Sequence, residues 1–158
     1  MPPDRKIDGA DRAILAILQR DNRTPHRLIA DEVNLSAPAV QRRVRRLEAS
    51  GVISSNVAVL DPALVGRPIT IIVEVEVESE KAAEIDALKQ ALSTAPAVQQ
   101  CYYVTGEFDF VLIVTLPTMA DYEALTRELF FSNPNVRRFR TLVAMDLVKV
   151  SLSMPLSS

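Results

Sequence analysis

With 158 residues, 48% of them hydrophobic, and a net charge of -2, the chain is long enough for one ordinary domain or two small ones and too apolar to be a disordered tail. Its single cysteine, Cys101, excludes an intrachain disulfide and a cysteine-built metal cluster, which fits a reducing cytoplasm. The opening MPPDRKIDGADR lacks an apolar core and nowhere do eighteen apolar residues run together, so neither a leader nor a membrane span is expected and a cytoplasmic location follows.

Asp8, supported by Asp11, is placed to cap a first helix whose apolar side carries Ile14, Leu15 and Leu18. Asp21-Asn22-Arg23-Thr24-Pro25 breaks the pattern, and a second helix sets Ile29, Ala30 and Val33 on one side before Asn34 ends it. Ser36 is a good N-cap, with Ala37 and Pro38 in the first turn, for a third helix in which Val40, Val44 and Leu47 repeat at i, i+4 and i+7. Gly51 is the expected stop, and Asn56 to Leu60 reads as a short extended passage. Residues 61–68 (DPALVGRP) have linker composition, which divides the chain into domains at 1–60 and 69–158.

Beyond the linker, Ile69, Ile71, Val73, Val75 and Val77 alternate as a strand. Residues 80–94 switch to helical spacing through Ile85, Leu88 and Leu92 and end at Ala95-Pro96. Val98–Thr105 and Phe108–Leu116 form a hairpin around Gly106-Glu107. Residues 119–132 make a further helix with Tyr122, Leu125 and Leu129 inward, and Val136–Leu152 reads as one long final strand. The order β-α-β-β-α-β predicts an α+β fold of the ferredoxin-like kind, with both helices on one face of an antiparallel sheet. The uncovered face then calls for a second copy, so a homodimer is expected.

Charge is divided unevenly along the chain. Residues 1–60 hold ten Lys and Arg against seven acids, net +3, while the remaining 98 hold eight against thirteen, net -5. With Val40, Val44 and Leu47 inward, Gln41, Arg42, Arg45 and Arg46 turn outward and Arg43 lies toward a flank. Arginine matches guanine and phosphate, and glutamine matches adenine, so this helix is suited to double-stranded DNA. In that reading Gln41, Arg42 and Arg45 contact bases, and Arg43 and Arg46 contact phosphates. The alternative is that these cations are solvated or paired with Asp31, Glu32 and Glu48. The short preceding helix, Ala30 and the turn Asn34-Leu35-Ser36 match a helix-turn-helix, with Asn34 where a left-handed glycine often stands.

Ile7-Asp8 with Asp11-Arg12 and Ile14-Leu15, then LSAPAVQRRVRRLEASGVI, VTGEFDF and RTLVAMDLVK, together resemble the leucine-responsive regulator/AsnC (feast/famine) family over nearly the whole chain. The resemblance implies a winged helix-turn-helix, a ferredoxin-like regulatory domain, dimers joined through their sheets, tetramers of dimers and amino-acid effectors. It also implies an effector cleft between dimers, which maps here onto Thr105, Gly106, Glu107 and Asp109, with Phe131 and Thr141, Leu142, Val143 and Ala144 beside them. On chemistry alone, Gly106 permits close backbone approach and Asp109 suits an α-ammonium, although the same four residues also suit an ordinary hairpin turn. Phe130-Phe131 equally suits core or subunit contact, and Cys101 a small buried apolar position.

Two rival functions remain. A ligand-independent architectural DNA-binding protein would share the arginines and the assembly, and sequence-blind binding would distinguish it. A small ferredoxin-like enzyme is disfavoured, because His26 is the sole histidine and there is no metal-spaced cluster, phosphate-cradling loop or nucleophile–base pair. No cofactor or metal is expected. Too few aromatics are present for a sheet that stacks RNA bases.

Overall fold

A computed structural model describes residues 7–156, so Arg5 and Lys6, counted in the basic module, lie outside the described residues. Contacts divide the chain into two units, one containing residues 7–58 together with 150–156 and the other residues 59–149.

The first unit is built from α1 (Gly9–Arg20), α2 (His26–Val33) and α3 (Ala37–Ala49). Asp8 and Asp11 form a reciprocal capping box, each side chain accepting the other's amide, which satisfies two first-turn donors of α1. Helix α2 ends where Asn34 adopts φ 54° and ψ 46°, the left-handed geometry that a short polar side chain tolerates. Ser36 then accepts from the Ala39 amide and starts α3, which closes at Gly51, φ 72°. Ile14, Ile17, Ile29, Ala30, Val40 and Val44 form the core, with Leu18, Val33 and Ile53 packed at its margin. Each fully buried aliphatic side chain contributes about 1.5–3 kcal/mol relative to exposure. No strand follows α3 before Ile69 among the described residues, so the segment where a wing is expected carries no strand ladder.

The second unit carries β1 (Ile69–Val77), α4 (Ala82–Thr94), β2 (Val98–Tyr103), β3 (Phe110–Leu116), α5 (Met119–Thr126) and β4 (Val136–Val143). The sheet order is β2-β3-β1-β4, with every neighbouring pair antiparallel. Ile71, Val73, Val75, Phe110, Leu112 and Val114 meet Ile85, Leu88 and Leu92 of α4 and Tyr122 of α5 in one core, so both helices cover the same face. By alternation, Ile72, Glu74, Glu76, Val111, Ile113, Arg138, Arg140 and Leu142 belong to the other face.

Five expectations change. The final strand stops at Val143 rather than Leu152, because the Ala144 amide bonds Thr70 at the start of β1 and Pro68 beyond it has no N–H to extend the ladder. Residues from Val150 on belong instead with the first unit, where the Met154 amide donates to Gln19 Oε1 at 2.6 Å and Gln19 Nε2 donates to the Met154 carbonyl at 3.0 Å. The helix after Thr118 stays α-helical only to Thr126 and widens to a π-turn over Arg127–Phe131. The hairpin strands shorten to Val98–Tyr103 and Phe110–Leu116, since the Asp109 amide turns aside to the Val75 carbonyl. Residues 61–68 are a folded turn, in which Asp61 Oδ1 accepts from the Ala63 and Leu64 amides and Arg67 donates to the Thr115 carbonyl.

Candidate nucleic-acid interface and effector region

Helix α3 presents its arginines in two distinct states. Arg42 and Arg45 meet no carboxylate among the described residues, and Gln41, Arg42 and Arg45 have left the core side defined by Val40, Val44 and Leu47. Ser36 is engaged as the cap, with Ala37 and Pro38 in the turn that follows it. Arg43 and Arg46 are held by acids. Arg43 Nη1 lies 2.7 Å from Asp8 Oδ2 and 2.8 Å from Asp11 Oδ1, and Arg46 Nη2 lies 2.5 Å from Asp11 Oδ2. These acids are not the Asp31, Glu32 and Glu48 considered from sequence; Glu32 meets Arg20 and Glu48 meets Asn56.

The amide of Asp11 and then the Arg43 guanidinium hold the Asp8 carboxyl below its ordinary value. Hydrogen bonds to Asp8 and then Asp11 raise Arg43 in turn. Sequence spacing does not reveal this cluster, because 32 residues separate Arg43 from Asp11. The available signal was a second acid at the start of α1 when one already capped it.

The expected effector residues do not gather at one place within a single chain. Gly106, at φ 135°, turns the β2–β3 loop, and Thr105 and Glu107 beside it are exposed. Asp109 holds the loop together: its Oδ2 accepts from the Val77 amide at 2.8 Å and its carbonyl accepts from the Val104 amide at 2.8 Å. Thr141, Leu142 and Val143 pair with Val73, Ile72 and Ile71, so Thr141 lies four β1 residues from Val77, roughly 14 Å along the strand. Thr141 Oγ1 bonds the Tyr122 hydroxyl at 2.5 Å, and Ala144 ends the ladder. Phe131 is 74% exposed and packs edge-on to Phe139 at 5.4 Å, whereas Phe130 is buried. Cys101 is exposed rather than buried, because β2 is an edge strand.

The open sheet face carries an ionic ladder that sequence reasoning missed. Glu74 pairs in register with Arg140 and Glu76 with Arg138, each as a side-chain ion pair, and Arg138 also reaches Glu107 at 3.3 Å. Both arginines lie over the Phe108 ring, at 5.4 and 4.8 Å. The signal was present in the matched alternation of Glu74-Val75-Glu76 and Arg138-Phe139-Arg140, but register is a tertiary property. Among the described residues no group of His, Cys, Asp and Glu has the makings of a metal site, and no helix is long and apolar enough to cross a membrane.

A capped helix-turn-helix with outward arginines, followed by a separate four-stranded regulatory fold, defines a DNA-binding transcriptional regulator. The sequence pattern described as winged helix-turn-helix DNA-binding matches residues 7–54, and that of the Lrp/AsnC ligand binding domain matches residues 70–154. The chain is 42% identical over 151 residues to an HTH-type transcriptional regulator of Sinorhizobium fredii, covering 96% of this chain and 89% of that one. It is 32% identical over 149 residues to the leucine-responsive regulatory protein of Escherichia coli, covering 94% and 91%. The crystal structure of an AsnC family transcriptional regulator from Agrobacterium tumefaciens superimposes with a TM-score of 0.89 at 31% identity, covering 95% and 97%. The chain therefore belongs to the Lrp/AsnC family of transcriptional regulators.

Proposed function

We propose that this regulator reads a pseudo-palindromic operator as a homodimer, with Gln41, Arg42 and Arg45 on base edges and the first turn, Ser36 to Pro38, against the phosphate backbone. The observation that carries this reading is the pair Arg42 and Arg45, unengaged by any described carboxylate on a capped helix of a helix-turn-helix. Two such helices belong in successive major grooves about 34–36 Å apart. The sheet's open face supports the dimer, since Ile72, Val111, Ile113 and Leu142 leave apolar surface there and a second copy is its natural cover.

An amino acid is the proposed effector, supported by the ligand-binding description of the matched domain and by the leucine-responsive relative. Thr105, Gly106 and Glu107 of one dimer, with Phe131 and the Thr141–Ala144 stretch, would line its cleft between dimers, and Asp109 would shape the loop through Val77 rather than take the α-ammonium. Ligand binding would then favour one assembly by differential affinity. Operator affinity and particle mass measured across a panel of the twenty amino acids test this; the expected result is a change in one or both with at least one of them. A flat response across the panel removes the sensing half and leaves the DNA-binding half standing. Sequence-blind binding with a steep salt slope would instead favour an architectural protein.

A further inference from the structure

A carboxylate enclosed in a small helical core is costly unless cations and donors meet it. Asp11 is 0% exposed, and both its oxygens are engaged: Oδ1 by Arg43 Nη1, and Oδ2 by the Asp8 amide and by Arg46 Nη2. Capping α1 does not require that burial, because an exposed acid at the third helical position closes the box as well. What burial adds is a link from the first turn of α1 to the middle and the last turn of α3, 32 and 35 positions away in sequence.

The two arginines differ in how far they are committed. Arg43 places one nitrogen between two carboxylates and its side chain is 27% exposed, whereas Arg46 gives one end to Asp11 and stays 56% exposed. Residues 43 and 46 project only about 60° apart around a helix, so fixing both to one buried group prevents α3 from rolling. The directions of Arg42 and Arg45, set by the same helix, are then fixed as well.

We propose that Asp11 is a positioning residue for DNA reading: its carboxylate clamps Arg43, and one end of Arg46, so that α3 has a single rotational setting and Arg43 makes no phosphate contact. The proposal rests on the reading that α3 faces the duplex. A direct role for Arg43 is the rival, since it also lines a cleft of about 300 Å³ with Leu35, Ala39, Arg42 and Arg46 in which a phosphate would meet it.

Salt dependence separates the two, because each phosphate contact changes the slope of log K against log salt by about 0.9. The full chain is tested on a duplex that the unaltered protein enriches from a random 30-base-pair pool (roughly three helical turns), with the pool itself as the nonspecific reference. Arg43→Gln is expected to keep the slope while preference for the enriched duplex falls on the order of tenfold, the loss of about one aligned base contact. Asp11→Asn is expected to lose the same preference at unchanged helix content and particle mass. An Arg43→Gln slope flatter by about 0.9 overturns the proposal, as does an unchanged preference in that variant. If Asp11→Asn fails to fold, the Arg43→Gln measurement decides alone. A chain that enriches no duplex overturns the underlying DNA reading and this proposal with it, whereas an enriched duplex with the flatter slope overturns only the role of Asp11.

Discussion

Arginines occupy two surfaces of this protein, and their partners differ. On the open sheet face, Arg138 and Arg140 meet Glu74, Glu76 or Glu107, while on α3 Arg42 and Arg45 meet no described acid. A cation already matched to a carboxylate gains little from a polyanion, whereas an unmatched one gains by releasing counterions from phosphate. Net charge alone would not have separated the two surfaces. What separates them is whether the fold brings acids to the arginines. Helix α3 shows the same rule within one element, since a single step along the chain leads from Arg42 to Arg43 and from Arg45 to Arg46, the first of each pair meeting no described acid and the second held by Asp11.

The sharpest way to break this contrast is Arg45→Ala. If Arg45 makes a bidentate base contact, operator affinity in a titration at fixed salt should fall by about 1–3 kcal/mol and discrimination at one base position should relax. A uniform loss across all sequences would make Arg45 a phosphate contact instead. The turn that sets α3 against α2 offers a smaller effect: Asn34→Ala should destabilise the first unit by roughly 1 kcal/mol in thermal denaturation, with Asn34→Gly tolerated, because Asn34 is left-handed.

Arg140→Gln sharpens the other side of the comparison. It strips Glu74 of its partner, and on a face covered by a second copy that acid would be desolvated, so sedimentation of dilute protein should shift toward the single chain. An unmoved profile would take β4 out of the interface. The smallest effect expected concerns pH. The Asp8 carboxyl is held below its ordinary 3.8, chiefly by the Asp11 amide and then by Arg43. Its contribution is therefore full above that value and is lost as pH falls through the lower folded one. Denaturation midpoints of the natural chain and of Asp8→Asn should converge as acid is added; a constant gap would show that Asp8 does not titrate differently on folding.

Much of the architecture was readable from local rules. Asp8, Ser36, Asn34 and Gly51 mark helix ends through their own side chains or permitted backbone angles, and the alternation of Ile69 to Val77 is a single-strand property. The outward set Gln41, Arg42, Arg45 and Arg46 followed from helical geometry once Val40, Val44 and Leu47 were placed inside, but that geometry did not show that Asp11 would reach Arg46. The proposed effector region was harder to read, because Asp109 suits a ligand by type yet here accepts from the Val77 amide. Nothing in the four-residue loop indicates that its carboxylate would meet the end of β1.

The sequence by itself determined the elements, their order and the helix that bears the cations, because caps, turn residues and periodicity act over a few residues. Only the tertiary structure decided where β4 ends, which unit holds the segment after Val150, and which arginines are held by Asp11. Those outcomes depend on which groups come within a few ångströms after distant segments pack, and the spacing of residues along a chain carries no record of that distance.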